Sequence, residues 1–229
     1  TFVDSGNQLE TADLRLIVNT SDLCVEVLDK KQGNVRLTKL CPNLVQAFKG
    51  LDIERGKITQ VYGLGQQFKT LGSTDGDWIQ HGVREGQEGL GNGFQGFQDA
   101  AVGNVQIPVY YALGDNGINY ALFVDNVYHQ KWECNTSPWR ARMFGDQVRW
   151  YIMSGADLPD LRADFMELVG TPPVPPRKSF GLWVSEFGYD NFGQIDTLLA
   201  GLRADDFPVD GFVLCPASVG IGVFLDMSE

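Results

Sequence analysis

The stretch Leu168–Asn191 reads Leu-Val-Gly-Thr-Pro-Pro-Val-Pro-Pro-Arg-Lys-Ser-Phe-Gly-Leu-Trp-Val-Ser-Glu-Phe-Gly-Tyr-Asp-Asn, and its reading decides the fold on either side of it. Four of the chain's ten prolines, Pro172, Pro173, Pro175 and Pro176, fall within five residues. Locked φ values and missing N–H donors make this a stiff, extended connector. The patterning changes across it. Upstream are short alternating runs and turns; downstream, an apolar run, a helical pattern and a second apolar run follow one another closely. The connector therefore reads as a domain junction.

Upstream, Leu14-Arg15-Leu16 and Leu23–Leu28 alternate with a period near two, as half-buried strands do. Turn chemistry around Gly33 followed by Val35-Arg36-Leu37 predicts a hairpin. Tyr120–Asp125 and Gln147–Ile152 are further strand candidates. His81–Asn104 interrupts the pattern with a Gly/Gln/Asn-rich run carrying Phe94 and Phe97. It reads either as a surface loop or as a ligand-facing loop whose rings stack on sugars. Asp157–Gly170 predicts a helix: Asp157 as cap, Pro159 in the first turn, Leu158, Leu161, Phe165 and Leu168 on one face, and Gly170 as terminator.

Downstream, Phe180–Val184 reads as a buried strand. Asn191–Ala204 reads as a helix with Asn191 and Gln194 at capping-box spacing, and Phe212–Leu214 as a second buried strand. Phe192, Ile195, Leu199 and Leu202 form the helix's apolar face. Strand, helix and strand at this spacing predict a parallel pair with a right-handed crossover.

Composition bounds the function. In 229 residues, 43% hydrophobic and 21% charged with 27 glycines, there is material for a globular core and many turns. A net charge of -11 without a Lys/Arg-rich block excludes nucleic acid and anionic membranes as expected partners and suits a neutral ligand. No apolar run approaches the ~20 residues of a membrane-spanning helix. Cys24, Cys41, Cys134 and Cys215 lack Cys-x-x-Cys spacing, and the histidines are His81 and His129, so no metal and no other cofactor is expected. Buried free thiols are the expectation for the four cysteines, with three disulfide connectivities formally open. Thr1 is not an initiating Met, so the true N-terminus is expected to be missing; the compartment is left open with a cytoplasmic lean, and a homo-oligomer is also left open.

Several short motifs, taken in order, resemble glycoside hydrolase family 31, the α-glucosidase and α-xylosidase family. Val61-Tyr62-Gly63-Leu64-Gly65-Gln66 is similar to its Tyr-Gly-Leu-Gly-Glu motif, with Gln66 replacing a glutamate. Ile107–Tyr111 and Leu122–Asn126 resemble its Ile-Pro-Phe-Tyr and Leu-Phe-Leu-Asp-Asn strands. The opening stretch resembles the segment that leads into its catalytic barrel.

The resemblance implies a mainly β chain: a galactose-mutarotase-like β-sandwich over residues 1–156, a helix and Pro-rich junction over 157–178, and a truncated (β/α)₈ barrel from 179 to 229, limited to its first βαβ unit. A full barrel takes typically ~250 residues and carries its active site at the C-terminal ends of its strands. Trp183, Glu186 and Tyr189 lie near the end of the first such strand, and Trp183 and Glu186, with Phe97, are the candidate substrate-binding residues. Trp183 also reads as core packing and Glu186 as a solvated loop carboxylate.

A retaining glycosidase needs two carboxyl groups about 5–5.5 Å apart. Val223–Glu229 resembles the family's nucleophile motif, which makes Asp226 the candidate nucleophile and implies that barrel sequence between Leu214 and Val219 is absent. A frayed terminus with ordinary carboxylates is the other reading of these residues. Cys215-Pro216 stands where an aspartate is usual, and a thiol cannot accept a sugar's hydrogen bond as a carboxylate does. No residue takes the acid/base role. The implied substrate is an α-glucoside or α-xyloside, and the chain alone is expected to be inactive. The rival reading is a non-catalytic carbohydrate-binding module that stacks sugars on Phe94, Phe97 or the Trp132/Trp139 pair. A third expectation is that Leu182, Trp183, Phe212 and Val213 are partly solvated for want of the rest of a barrel.

Overall fold

The computed structural model describes residues 3–4, 6–45, 48–65, 78–81, 107–126, 128, 130–143, 145, 147–187, 189, 191–215 and 223–226. The chain forms two compact units, 1–170 and 171–229.

In the first unit, Gln8–Glu10 (β2) to Ile53 form an antiparallel meander: β3 (Leu14–Val18), β4 (Val25–Asp29), β5 (Val35–Val45) and β6 (Phe48–Ile53). With β1 (Val3–Asp4) on one edge and β12 (Trp139–Met143), β11 (Gln130–Glu133) and β8 (Trp78–His81) beyond β6, they make a nine-stranded sheet. A second sheet has the order β13-β10-β9-β7, from Trp150–Ser154, Asn119–Val124, Val109–Gly114 and Ile58–Gly63.

Period-two alternation makes the two sheets a sandwich. Tyr110, Ala112, Tyr120, Leu122 and Val124 pack with Val27, Leu37, Leu40, Ile53, Trp132, Trp139 and Met143 of the larger sheet. The intervening residues Val109, Tyr111 and Ala121 bury against Leu161 and Phe165 of α1 (Leu158–Val169). The smaller sheet is thus covered on both faces, which is why β9 and β10 are almost continuously apolar. Each large buried side chain contributes roughly 1.5–3 kcal/mol.

Helix α1 follows its sequence signals. The Asp157 side chain accepts the Asp160 N–H at 3.0 Å, and Gly170, at φ +91°, ends the helix with its N–H on the Met166 carbonyl. Its packing places α1 in the first unit. Leu168, expected on the buried face, is 43% exposed.

The cysteine expectation is corrected in part. Cys24 and Cys41 form a disulfide, because the β4–β5 hairpin sets them opposite each other, one step beyond the Val25–Leu40 pair. Sequence separation hid that proximity. Closing a loop of 17 residues contributes roughly 3 kcal/mol. Cys134 is buried and stays outside the disulfide, as expected.

In the second unit a short 3₁₀ turn, Arg177–Phe180, precedes β14 (Leu182–Phe187). The strand begins two residues later than the apolar run predicts, because Phe180 belongs to the turn and is 73% exposed. Helix α2 (Phe192–Ala204) connects β14 to the parallel strand β15 (Val209–Cys215), so the predicted βαβ unit is present. Asn191 caps α2 by accepting the Gln194 N–H at 3.1 Å. Ile195 and Leu199 bury against Phe212. A last strand, β16 (Val223–Asp226), pairs with β15 in the antiparallel sense.

Candidate functional site

The residues singled out by sequence fall on both units. On β14, Trp183 is the second residue of the strand, opposite Gly211 of β15. Its indole N–H donates to the Lys178 carbonyl at 2.9 Å. Gly211 leaves room for the ring: a Cβ there would come within 2.4 Å of Cε3 and Cζ3. Trp183 is therefore fixed by packing and one hydrogen bond toward the start of its strand. Beside it, the Asp210 carboxylate accepts the Leu182 N–H at 3.0 Å and fills the space next to Gly181. Glu186 is the fifth of six residues in β14, opposite Leu214, toward the strand's C-terminal end. Tyr189 packs its ring on Phe212, with centroids 5.5 Å apart.

The direction of β16 governs Asp226. The antiparallel register pairs Asp226 with Gly211 and Val223 with Leu214. Asp226 therefore sits level with Trp183, near the beginning of β15, whereas Val223 is level with Glu186. Three residues of strand, roughly 10 Å at ~3.3 Å per residue, separate the two levels. In a parallel barrel the reactive groups gather at the C-terminal ends of the strands. Asp226 and Glu186 are not brought together here.

Of the four residues expected to be partly solvated, Trp183 and Val213 are half-buried and Leu182 is 39% exposed, but Phe212 is fully buried. Ile195 and Leu199 of α2 and the Tyr189 ring cover Phe212 within this unit.

The Trp132/Trp139 pair is corrected outright as a sugar platform. Both indoles are buried, and each meets the edge of Tyr110, at centroid distances of 5.6 and 6.2 Å. Tyr110 donates to the Tyr120 hydroxyl at 3.0 Å inside the same cluster. Burial raises the Tyr110 hydroxyl well above the usual tyrosine range and pushes Tyr120 up to about 12, hydrogen bonds to Thr38 and Tyr110 opposing the rise at Tyr120. These rings form the core of the sandwich. Phe94, Phe97, His129 and Gln66 lie outside the described residues, and His81 ends β8.

Two features of the sandwich surface escaped the sequence reading. A groove of about 550 Å³ runs along α1, lined by Thr11, Asp13, Tyr151, Met153, Asp164 and Glu167 among others. It is acidic, and the Asp164 carboxyl is raised by desolvation and then by Asp160, Glu167 and Asp13. A smaller cleft lies where β10 ends, between Asp125, Asn126, Tyr128, Gln147 and Arg149. Both are assembled from segments distant in sequence. The one available signal was the motif Leu122–Asn126, whose last two residues line the smaller cleft. Among the described residues no cluster of His, Cys, Asp or Glu could hold a metal ion.

No family model matches the chain. The isomaltosyltransferase of Sporosarcina globispora is 25% identical over 109 residues, covering 43% of this chain and 10% of that protein. The α-xylosidase XylQ of Lactiplantibacillus pentosus is 24% identical over 168 residues, 70% of this chain and 20% of that protein. The glycoside hydrolase family 31 dextranase FjDex31A of Flavobacterium johnsoniae, solved with glucose, superposes over 93% of this chain and 26% of its own, with a TM-score of 0.68 at 19% identity. The chain's relatives are family 31 enzymes. The chain shares the fold of the family 31 dextranase, while spanning about a quarter or less of each of these three proteins. Its sandwich resembles the N-terminal domains of family 31.

Proposed function

We propose that the chain is the N-terminal part of a retaining α-glycosidase of the family 31 type, whose whole protein hydrolyses α-linked glucosides or xylosides. The observation that carries this reading is the coverage: 93% of the chain follows the fold of a family 31 dextranase, and its sequence relatives include an α-xylosidase and an isomaltosyltransferase. In this reading the sandwich is the scaffold, and residues 179–229 are the first βαβ unit of a (β/α)₈ barrel. Glu186, toward the C-terminal end of β14, is the candidate to meet a sugar hydroxyl, together with Phe97. Trp183, tied down near the start of β14, would act on substrate only through the wall it builds.

Asp226 is matched to the nucleophile by resemblance. That role requires a place at the C-terminal ends of the parallel strands, and the backbone pairing of Asp226 with Gly211 in the antiparallel sense argues against it for this chain alone. We therefore infer that the 229-residue chain by itself does not turn over. Purified chain incubated with aryl α-glucosides and α-xylosides is expected to release no leaving group above the buffer rate. Saturable release abolished by Asp226→Ala would overturn the inference.

A further inference from the structure

We propose that the cleft at the end of β10 is a second saccharide site, on the sandwich, shaped for one neutral monosaccharide unit. It lies between Asp125, Asn126, Tyr128, Gln147 and Arg149 and holds about 280 Å³. That is at the lower edge of the roughly 300–1,000 Å³ of pockets for drug-sized ligands, which suits a single sugar ring.

The walls are set by the fold. Beyond the last β10–β13 pair, Val124 with Trp150, the strands continue to approach: the Asp125 N–H donates to the Arg149 carbonyl at 2.9 Å, and Arg149 Nη2 reaches Asp125 Oδ2 at 2.6 Å. The carboxylate and guanidinium are thus held side by side at the rim.

Asn126 is oriented from below. Its Oδ1 accepts from the Tyr128 N–H at 3.2 Å and from Gln130 Nε2 at 2.9 Å. Gln130 is itself buried and accepts the Trp132 indole N–H at 2.9 Å, which ties this relay to the core. With Oδ1 committed to two donors, Nδ2 is left buried with no hydrogen-bond partner. A buried, unsatisfied amide donor is costly, and natural proteins keep few of them without a use. The Tyr128 ring, 42% exposed, packs directly on Gly145, where a Cβ would come within 2.1 Å of Cδ2. A ring backed on one side by glycine offers a flat apolar surface to a sugar face.

The ligand class follows from what the groups can do. A sugar hydroxyl both donates and accepts, so it can take the Asn126 N–H and a guanidinium N–H while giving its own proton to Asp125 or the Gln147 carbonyl. An anion is disfavoured, because Asp125 already neutralises Arg149 and the chain carries a net charge of -11. The choice of a glucose-type sugar among neutral polyols rests on the glycosidase reading above; the cleft's polarity does not.

The test is a titration of the isotopically labelled 229-residue chain with glucose and maltose, read at the Asn126 side-chain amide by NMR, with sulfate as the anionic probe. We expect saturable shifts of that amide with either sugar and none with sulfate. Asn126→Asp, which keeps the Oδ1 acceptor and removes the donor, is followed at the Tyr128 and Arg149 backbone amides instead and is expected to weaken binding about fivefold, the effect of one hydrogen bond. Arg149→Ala, at a side chain 67% exposed, is expected to weaken it by a similar factor. An Asn126 amide unmoved by saturating sugar, a response to sulfate in its place, or unchanged affinity in both variants would overturn the site. Such a failure leaves the glycosidase reading standing, since aryl glycoside turnover tests that separately.

Discussion

The two units differ in how far each completes its own core. Residues 1–170 close a sandwich in which Trp132, Tyr120, Leu37, Leu40, Ile53, Leu122 and Met143 are essentially inaccessible, and they add a helix over the back of the smaller sheet. Among the described residues of 171–229, the buried hydrophobic side chains that form a core are Ile195, Leu199 and Phe212. Val174, Phe180, Phe192 and Phe207 of the same unit are exposed. A stretch of about 60 residues is already marginal as an independent fold. The comparison teaches that stability and the expected chemistry reside in different parts of the chain. Among the described residues, the part that resembles a catalytic barrel is the part with the smaller buried core.

Matched core truncations give the largest effects. Trp132→Ala is expected to cost roughly 3–5 kcal/mol and to lower the unfolding midpoint of the whole sandwich. Phe212→Ala removes a side chain just as buried. It is expected to melt β14, α2 and β15 while leaving the sandwich transition where it was. Both are read by thermal unfolding monitored separately at sandwich and βαβ resonances. A shift of the sandwich midpoint in Phe212→Ala would break the comparison.

Alkaline pH sharpens it. Burial raises the Tyr120 hydroxyl to about 12, above its unfolded value near ~10. Both states are protonated below pH ~10, so the stabilisation is fully present there. Above that the unfolded chain ionises first while the folded one keeps its proton, and stability falls by roughly 3 kcal/mol as pH rises from ~10 to ~12. Tyr110 moves in the same direction. Denaturant titrations from pH 8 to pH 12 should show this loss in the sandwich transition, and Tyr120→Phe should reduce it.

These effects also show what was legible in the sequence. The strands around Leu14, Val25 and Tyr120, the capped helices at Asp157 and Asn191, and the parallel βαβ unit were all readable, because each is encoded by local periodicity or a cap. Partnership across the fold was not. Cys24 and Cys41 meet only once a hairpin is closed, and Trp132 and Trp139 look like surface aromatics until Tyr110 is placed between them. The direction of β16 is likewise a pairing choice that a four-residue apolar motif does not encode. The cleft at Asn126 depends on an orphaned amide, which only the hydrogen-bond network reveals.

A smaller effect sits at the last helix of the first unit. Asp157→Ala removes the acceptor for the Asp160 N–H and is expected to cost about 1 kcal/mol. Because Leu161 and Phe165 of α1 belong to the sandwich core, the loss should appear in the sandwich transition, measured by urea unfolding. Its appearance in the βαβ transition alone would assign α1 to the wrong unit.

The most direct test of the difference between the units is native-state hydrogen exchange on the 229-residue chain, followed by mass spectrometry. Local opening energies range from near zero to the full stability of a domain, so the two units should separate in time. The account predicts that amides of β9 and β10 exchange only through global unfolding of the sandwich, while those of β14 and β15 exchange far earlier. Protection of β14 and β15 equal to that of β9 and β10 would contradict it.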